Sequence, residues 1–253
     1  MKKIILGIIG FAATAAVAFI CAGCNDIGVK GDAGKGEGGE ADRYLSRFLE
    51  TFTDKRDGTV YKKVTIGTQT WMAENLNYDT LNDTGSWCYH DSSQYCKKYG
   101  RLYDWATAMN LDTFYNVNKW DTGGNNVNHR GICPSGWHLP SDNDWKTLLN
   151  FTGGTPKKAG KALKAKSDWE EPGDDVFQFS ALPGGKMDRN YMYPERPITF
   201  DNVGKFGYWW TTGECSISYC AQYWQINDSG GLEENNGFYD KIDAFSVRCI
   251  KDD

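Results

Sequence analysis

"CPSGWHLPSDNDW", residues 133–145, packs one cysteine, two prolines, a glycine and two tryptophans into thirteen positions. Trp137 and Trp145 either form a sugar-stacking platform or belong to the frame that holds one elsewhere. The residues around them favour the frame. Ser141 with Asp144 three positions on has the pattern of a helix capping box. Trp145, Leu148 and Leu149 then recur at i, i+3 and i+4, and Gly153 offers a stop. Pro134, Gly136 and Pro140 shape the turn before that helix. A large aromatic beside a helical apolar stripe packs inward, so both tryptophans are read as core.

Working outward, "PKKAGKALKAKSDW" begins with proline and carries alanines and a leucine at helical spacing, which predicts a second helix. Upstream, "GTVYKKVTI" alternates as a strand and "GRLYDWATAMN" reads as a short helix. Downstream, "VFQFSAL", "FGYWWTT", "AQYWQI" and "FSVRCI" read as strands, with Phe245, Val247 and Cys249 on one face. Helices first and strands later predict an α+β domain rather than alternating βαβ units. All ten tryptophans lie between Trp71 and Trp224, and the domain is placed at 56–253, enough chain for one sizeable core.

The first residues set the compartment. Lys2 and Lys3 precede an uncharged apolar run from Ile4 to Ile20, which closes on Cys21-Ala22-Gly23-Cys24. This is the order of a bacterial signal peptide over 1–23. Ala22 and Gly23 before a cysteine resemble a lipobox, with Cys24 as the lipid-bearing first residue of the mature chain; Cys21 stands where leucine is usual. The alternative is a single transmembrane anchor. Residues 24–41 are glycine-rich and charged, a flexible tether. Over 42–55, Tyr44, Leu45, Phe48, Leu49 and Phe52 recur at helical spacing and predict a short stalk helix.

Charge and cysteines agree with that placement. The net charge is −5, and removing 1–23 takes two lysines and no acid, leaving −7. With no basic stripe in the chain, a nucleic-acid partner is not expected. Six cysteines remain after Cys21 and Cys24, an even number that reads as disulfides in an oxidising compartment. Six cysteines allow fifteen pairings. Cys88–Cys96 and Cys215–Cys220 are close enough in sequence to staple loops, and Cys133–Cys249 would then clamp the middle of the domain to its last strand. The histidines His90, His129 and His138 are scattered and no CxxC pair follows residue 24, so a zinc site is not expected.

Six blocks carry a family resemblance: "DGTVYKKVTIGTQTWMAENLNY", "SWCYHDSSQYCKKYGRLYDWATAM", "GICPSGWHLPSDNDWKTL", "FSALPGG", "GYWWTTGE" and "SVRCIKD". In this order, from Asp57 to Lys251, they resemble the Fibrobacter succinogenes major paralogous domain, a family of bacterial secreted and lipid-anchored proteins. The resemblance implies a fold related to C-type lectins and formylglycine-generating enzymes: short helices with a loop-rich, mainly antiparallel sheet. It also implies an extracellular surface role, with attachment to polysaccharide as the associated guess. Fold-level analogy does not establish that role.

Three function classes follow. The first is a binding or adhesion module for a glycan or a surface protein, held at the membrane by a lipid anchor. Strand neighbours point to opposite faces, so Trp209 and Trp210, and likewise Tyr223 and Trp224, leave a large aromatic near the surface unless both faces are covered. With Tyr208 they make the expected ligand site. Glu171-Pro172-Gly173, Asp174 and Asp175 faintly resemble a C-type-lectin calcium tripeptide, and Asn227 with Asp228 would supply its second half; both stretches are also ordinary turn sequences, so no cofactor is expected and Ca2+ is kept only as an alternative. The second class, an envelope enzyme acting on polysaccharide or protein, lacks a selected pair of carboxylates and any nucleophile or phosphate motif. The third is a structural envelope protein with no small ligand.

Overall fold

A computed structural model describes residues 50–80, 85–120, 126–189, 195, 197–235 and 239–253. The expected signal peptide over 1–23, the expected lipid-bearing Cys24 and the expected tether over 24–41 lie outside them. The expected stalk helix is corrected where it can be seen. Strand β1 (Glu50–Thr53) pairs antiparallel with β2 (Val60–Ile66), placing Phe52 opposite Tyr61. Alternating Thr and Phe suit a pleated edge, and Phe52 stacks on Trp137 at 4.2 Å, which a helical turn would not align with the sheet. The domain therefore begins before residue 56.

β2 turns into β3 (Gln69–Met72) through a two-residue loop whose Gly67 has φ +63°. That left-handed position favours glycine, and a Cβ there would meet the Phe151 ring at 2.8 Å. Then follow β4 (Ser86–Trp87), α1 (Ser93–Tyr99), β5 (Leu102–Tyr103) and α2 (Trp105–Ala108). The expected helix around Trp105 is thus a single turn, because Leu102 and Tyr103 pair into a sheet and Asp104 caps the helix by accepting from the Thr107 amide at 2.8 Å.

After β6 (Trp137–His138) come α3 (Asp142–Phe151) and α4 (Pro156–Leu163). α3 carries the full capping box: the Asp144 amide donates to Ser141 Oγ at 3.3 Å and the Ser141 amide to Asp144 Oδ2 at 2.8 Å. The remaining elements are β7 (Gly184–Asp188), β8 (Thr199–Val203), β9 (Phe206–Glu214), β10 (Ala221–Asn227), β11 (Leu232–Asn235), β12 (Phe245–Ser246) and β13 (Ile250–Lys251). One sheet runs β1-β2-β3-β13-β6, and a larger one β11-β10-β9-β12-β5-β4, with β7 joining β9 and β8 joining β7. Pairing is antiparallel except for β12 and β7 against β9. The fold is α+β, but strands open it, so the expected order of helices before strands does not hold.

"VFQFSAL" is not a strand. Asp175, Gln178 and Ser180 have φ of +43°, +57° and +53°, which breaks the pleat. Three of its backbone groups are claimed by side chains. The Asp175 carboxylate accepts from the Ser180 amide at 2.8 Å, and the Arg248 guanidinium donates to the Phe179 and Ser180 carbonyls.

The large sheet has a core on each face. Tyr208, Trp210, Tyr223 and Phe245 join Trp105 and Trp137 in the first. Trp209, Trp224 and Ile226 join Trp71, Trp145 and Leu148 in the second, beneath α3 and α4. Trp137 and Trp145 are buried, as the capped helix predicts. Cys88–Cys96, Cys133–Cys249 and Cys215–Cys220 are bonded. The second pair spans 116 residues and ties the approach to β6 to the last strand. In the chain-entropy account a loop of that size stabilises by about 4–5 kcal/mol.

Candidate binding groove

The expected aromatic platform is corrected by this two-sided packing. Trp209 and Trp210 are 0% exposed, and Tyr208, Tyr223 and Trp224 are 2% exposed. Each indole N–H has internal work. Trp209 donates to Asn75 Oδ1 at 2.9 Å, Trp210 to the Tyr103 carbonyl at 2.7 Å, and Trp224 to Asp142 Oδ1 at 2.9 Å. Burial pushes the Tyr208 and Tyr223 hydroxyls well above the usual phenol range. None of the five faces a ligand.

Asn227 and Asp228 sit half-buried at the turn between β10 and β11. This turn does meet the Glu171 loop: the Glu171 amide donates to Asp228 Oδ1 at 3.1 Å. What joins them is an ammonium. Lys164, 2% exposed, donates to the Asp228 carbonyl at 2.9 Å and lies over the Trp169 ring at 4.9 Å. Burial lowers its pKa, while Asp228 and Glu171 oppose that shift. Asn227 Oδ1 accepts from Ser229 Oγ at 2.7 Å, and Asp175 is bound to Ser180. Among the described residues no three His, Cys, Asp or Glu side chains converge as a metal site.

A carboxylate cluster lies at Asp188, Asp240 and Asp243, near Lys186 and Tyr239. Burial, reinforced by Asp188 and Asp240, raises the Asp243 carboxyl to about 7, against the hydrogen bond from the Arg189 amide and the charge of Lys186. Both of its oxygens are occupied, by the Arg189 amide at 2.9 Å and the Asp240 amide at 3.1 Å. Lys186 pairs with Asp188 and lies 4.1 Å over the Tyr239 ring. Asp243 thus clasps two loop segments rather than meeting a substrate.

Three clefts can be placed among the described residues. One, of about 530 Å³, is lined by the Lys62–Glu74 pair at 3.5 Å, the Lys98–Asp168 pair, Lys97 and Lys166, and its one aromatic, Tyr61, is buried. The other two, about 520 and 410 Å³, meet at Thr113, which lines both. This adjoining pair is the candidate groove. Tyr78 and Arg130 line the first, and Trp87 and Arg189 line the second. Arg56 covers one face of Tyr78 at 3.8 Å, held there by Asp54 and by the Ile132 carbonyl. Burial pushes the Asp54 carboxyl up, but the hydrogen bonds from Arg56 outweigh it and keep it below its usual value. Trp87 is half-buried, and Phe114, next to Thr113, is 59% exposed, the most exposed aromatic among the described residues.

The groove's two acids serve the backbone. Asp104 caps α2, and Asp112 accepts from the Phe114 amide at 2.8 Å. Burial raises Asp104 despite its capping bond and the nearby positive charge of Arg189. By contrast, the side chains of Asn110, Thr113, Arg130 and Arg189 make no hydrogen bond or ion pair among the described residues, which leaves them open to a ligand.

The model of the Fibrobacter succinogenes major domain matches residues 64–251, about three quarters of the chain. The chain belongs to that family. Comparison with curated proteins and with solved structures finds no match. For this member of the Fibrobacter succinogenes major domain family, the groove residues escape sequence reasoning because they are single side chains scattered over loops. The one signal in the sequence is Trp87 beside Cys88, one end of a loop staple. No helix among the described residues is long and apolar enough to cross a membrane.

Proposed function

We propose that this family member is a C-type-lectin-like binding module of the bacterial envelope, anchored through a lipid on Cys24 and carried on the 24–41 tether, and that it binds polysaccharide in the groove around Thr113. The observation that carries this reading is the groove's lining. Tyr78 and Trp87 offer apolar faces to sugar C–H groups, Asn110 and Thr113 offer unengaged hydrogen-bonding groups, and the exposed Phe114 ring stands beside the lining, next to Thr113. Such a mixture of aromatic surface and a few polar groups is the usual make-up of a ligand cleft. Hydrolysis is less well supported, since Asp104 and Asp112 are both held on backbone amides.

The test uses the full chain, purified in detergent under oxidising conditions, and pull-down on soluble and insoluble plant and bacterial polysaccharides. Saturable retention is expected, unaffected by EDTA, and about tenfold weaker in Phe114→Ala, as loss of one stacking ring of about 1–2 kcal/mol implies. A folded protein retained by none of the polymers would overturn the reading. A protein ligand is the second reading, favoured by exposed Phe151 and Val176, where Phe151 also packs on Phe177 at 5.9 Å. Retention of surface proteins lost on Phe151→Ser, with no polysaccharide bound, would support it instead.

A further inference from the structure

Five arginines lie among the described residues, and three are engaged inside the protein. Arg56 pairs with Asp54, Arg101 with Asp79, and Arg248 is fully buried on the Phe179 and Ser180 carbonyls. The other two, Arg130 and Arg189, are exposed and make no ion pair among the described residues, and both line the groove. One stands in each cleft. Each cleft therefore offers the same set: a free guanidinium, a partly exposed aromatic (Tyr78 or Trp87) and the shared Thr113. A chain of net charge −5 attracts no polyanion through its overall field, so recognition of an anion here has to be local.

From this repeated set we infer that the ligand is an acidic polysaccharide whose sugars carry carboxylates, a polyuronate, with Arg130 and Arg189 each taking one carboxylate. This rests on the polysaccharide reading above and narrows it. A guanidinium presents a planar fork of donors that matches a carboxylate in two parallel hydrogen bonds, and such charge-assisted bonds are about twice as strong as neutral ones. The sugar ring's apolar face meets the aromatic, and its hydroxyls meet Thr113 and Asn110. A polymer supplies this combination repeatedly along its length. The backbone at Arg189 is held from behind, because its amide donates to the buried Asp243 side chain at 2.9 Å.

The experiment measures binding of the full chain in detergent, with EDTA present, to polygalacturonate, to the same polymer fully methyl-esterified, to a neutral glucan and to single-stranded DNA. Polygalacturonate should bind at least tenfold more tightly than its ester, and the affinity should fall with added salt. Arg130→Gln and Arg189→Gln should each weaken it about tenfold, the scale of one charge-assisted contact, with the melting temperature unchanged because both side chains are exposed. Equal binding of the acid and ester forms, or of glucan, would overturn the carboxylate inference while leaving the polysaccharide reading standing. DNA binding as tight as that of polygalacturonate would overturn it too, by showing a general polyanion patch. Wild-type affinity for polygalacturonate in the double variant would overturn it by placing the polymer elsewhere. Failure to bind any polysaccharide would remove both readings.

Discussion

At position 248 an arginine stands between Val247 and Cys249, both of which point into the first core. Strand alternation turns Arg248 to the other side, where a charged residue would ordinarily meet water. Here the other side is protein. Arg248 Nε donates to Asn75 Oδ1 at 3.1 Å, and the guanidinium lies over the Phe179 ring at 4.3 Å. Burial lowers its pKa to about 9, so it stays charged at neutral pH. Asn75 completes the junction, receiving the Trp209 indole N–H and donating to the Tyr99 carbonyl at 2.8 Å. Trp209 is therefore a structural tryptophan, and its substitution has a defined signature. Trp209→Phe removes one donor from a buried amide and leaves a small void. It should cost about 2–3 kcal/mol in denaturant unfolding while leaving polysaccharide retention at the wild-type level. Lost retention with unchanged stability would show that the ligand reaches Trp209 after all.

Among the elements, α3 was legible because its start is encoded locally. Ser141 and Asp144 satisfy each other's backbone amides whatever the surrounding fold, and Trp145 and Leu148 follow on one stripe. Ser141→Ala should therefore destabilise the domain by about 1 kcal/mol, whereas Ser141→Asp, another good N-cap, should keep most of the stability; equal losses in both would mean the hydroxyl acts through some other contact. β9 and β10 were equally legible as strands, for their aromatic and β-branched residues fit a pleat. Their orientation was not. Alternation says that Trp209 and Trp210 face opposite ways, but not that both ways lead into a core. The cover over the second face comes from α3 and α4, and the sequence does not state that these helices pack there. Residues 176–182 mislead for a related reason: their apolar run resembles a strand, yet distant Arg248 binds the carbonyls a neighbouring strand would need. The groove was the least legible part, since Tyr78, Trp87, Thr113, Arg130 and Arg189 are brought together only by tertiary contacts between loops.

On the scale of the whole molecule, the two sheets share one closing segment: β12 completes the larger and β13 the smaller, and Cys249 between them is bonded to Cys133. Close by, Asp243 joins this segment to the end of β7 through its bond from the Arg189 amide, and it gives the fold a pH dependence whose sign can be worked out. Its folded pKa is about 7, raised chiefly by burial. In the unfolded chain it titrates near 3.9. Below about pH 4 both states hold the proton, and its contribution is favourable. As pH rises toward 7 the unfolded chain releases the proton while the folded one retains it, so stability falls. Above pH 7 both are ionised and the loss is complete, on the order of 4 kcal/mol, because each pH unit between the two titrations is worth about 1.4 kcal/mol. Carboxylates held low, such as Asp54 and Asp168, act in the opposite sense, so the total curve mixes the two. A difference isolates the one group. Asp243→Asn keeps an acceptor but cannot ionise, so the stability gap between wild type and variant should shift steadily in the variant's favour from pH 4 to 7 and level off above 8. Parallel unfolding curves for the two proteins across that range would show that Asp243 is ionised in the fold at every pH, with the two amides outweighing its burial.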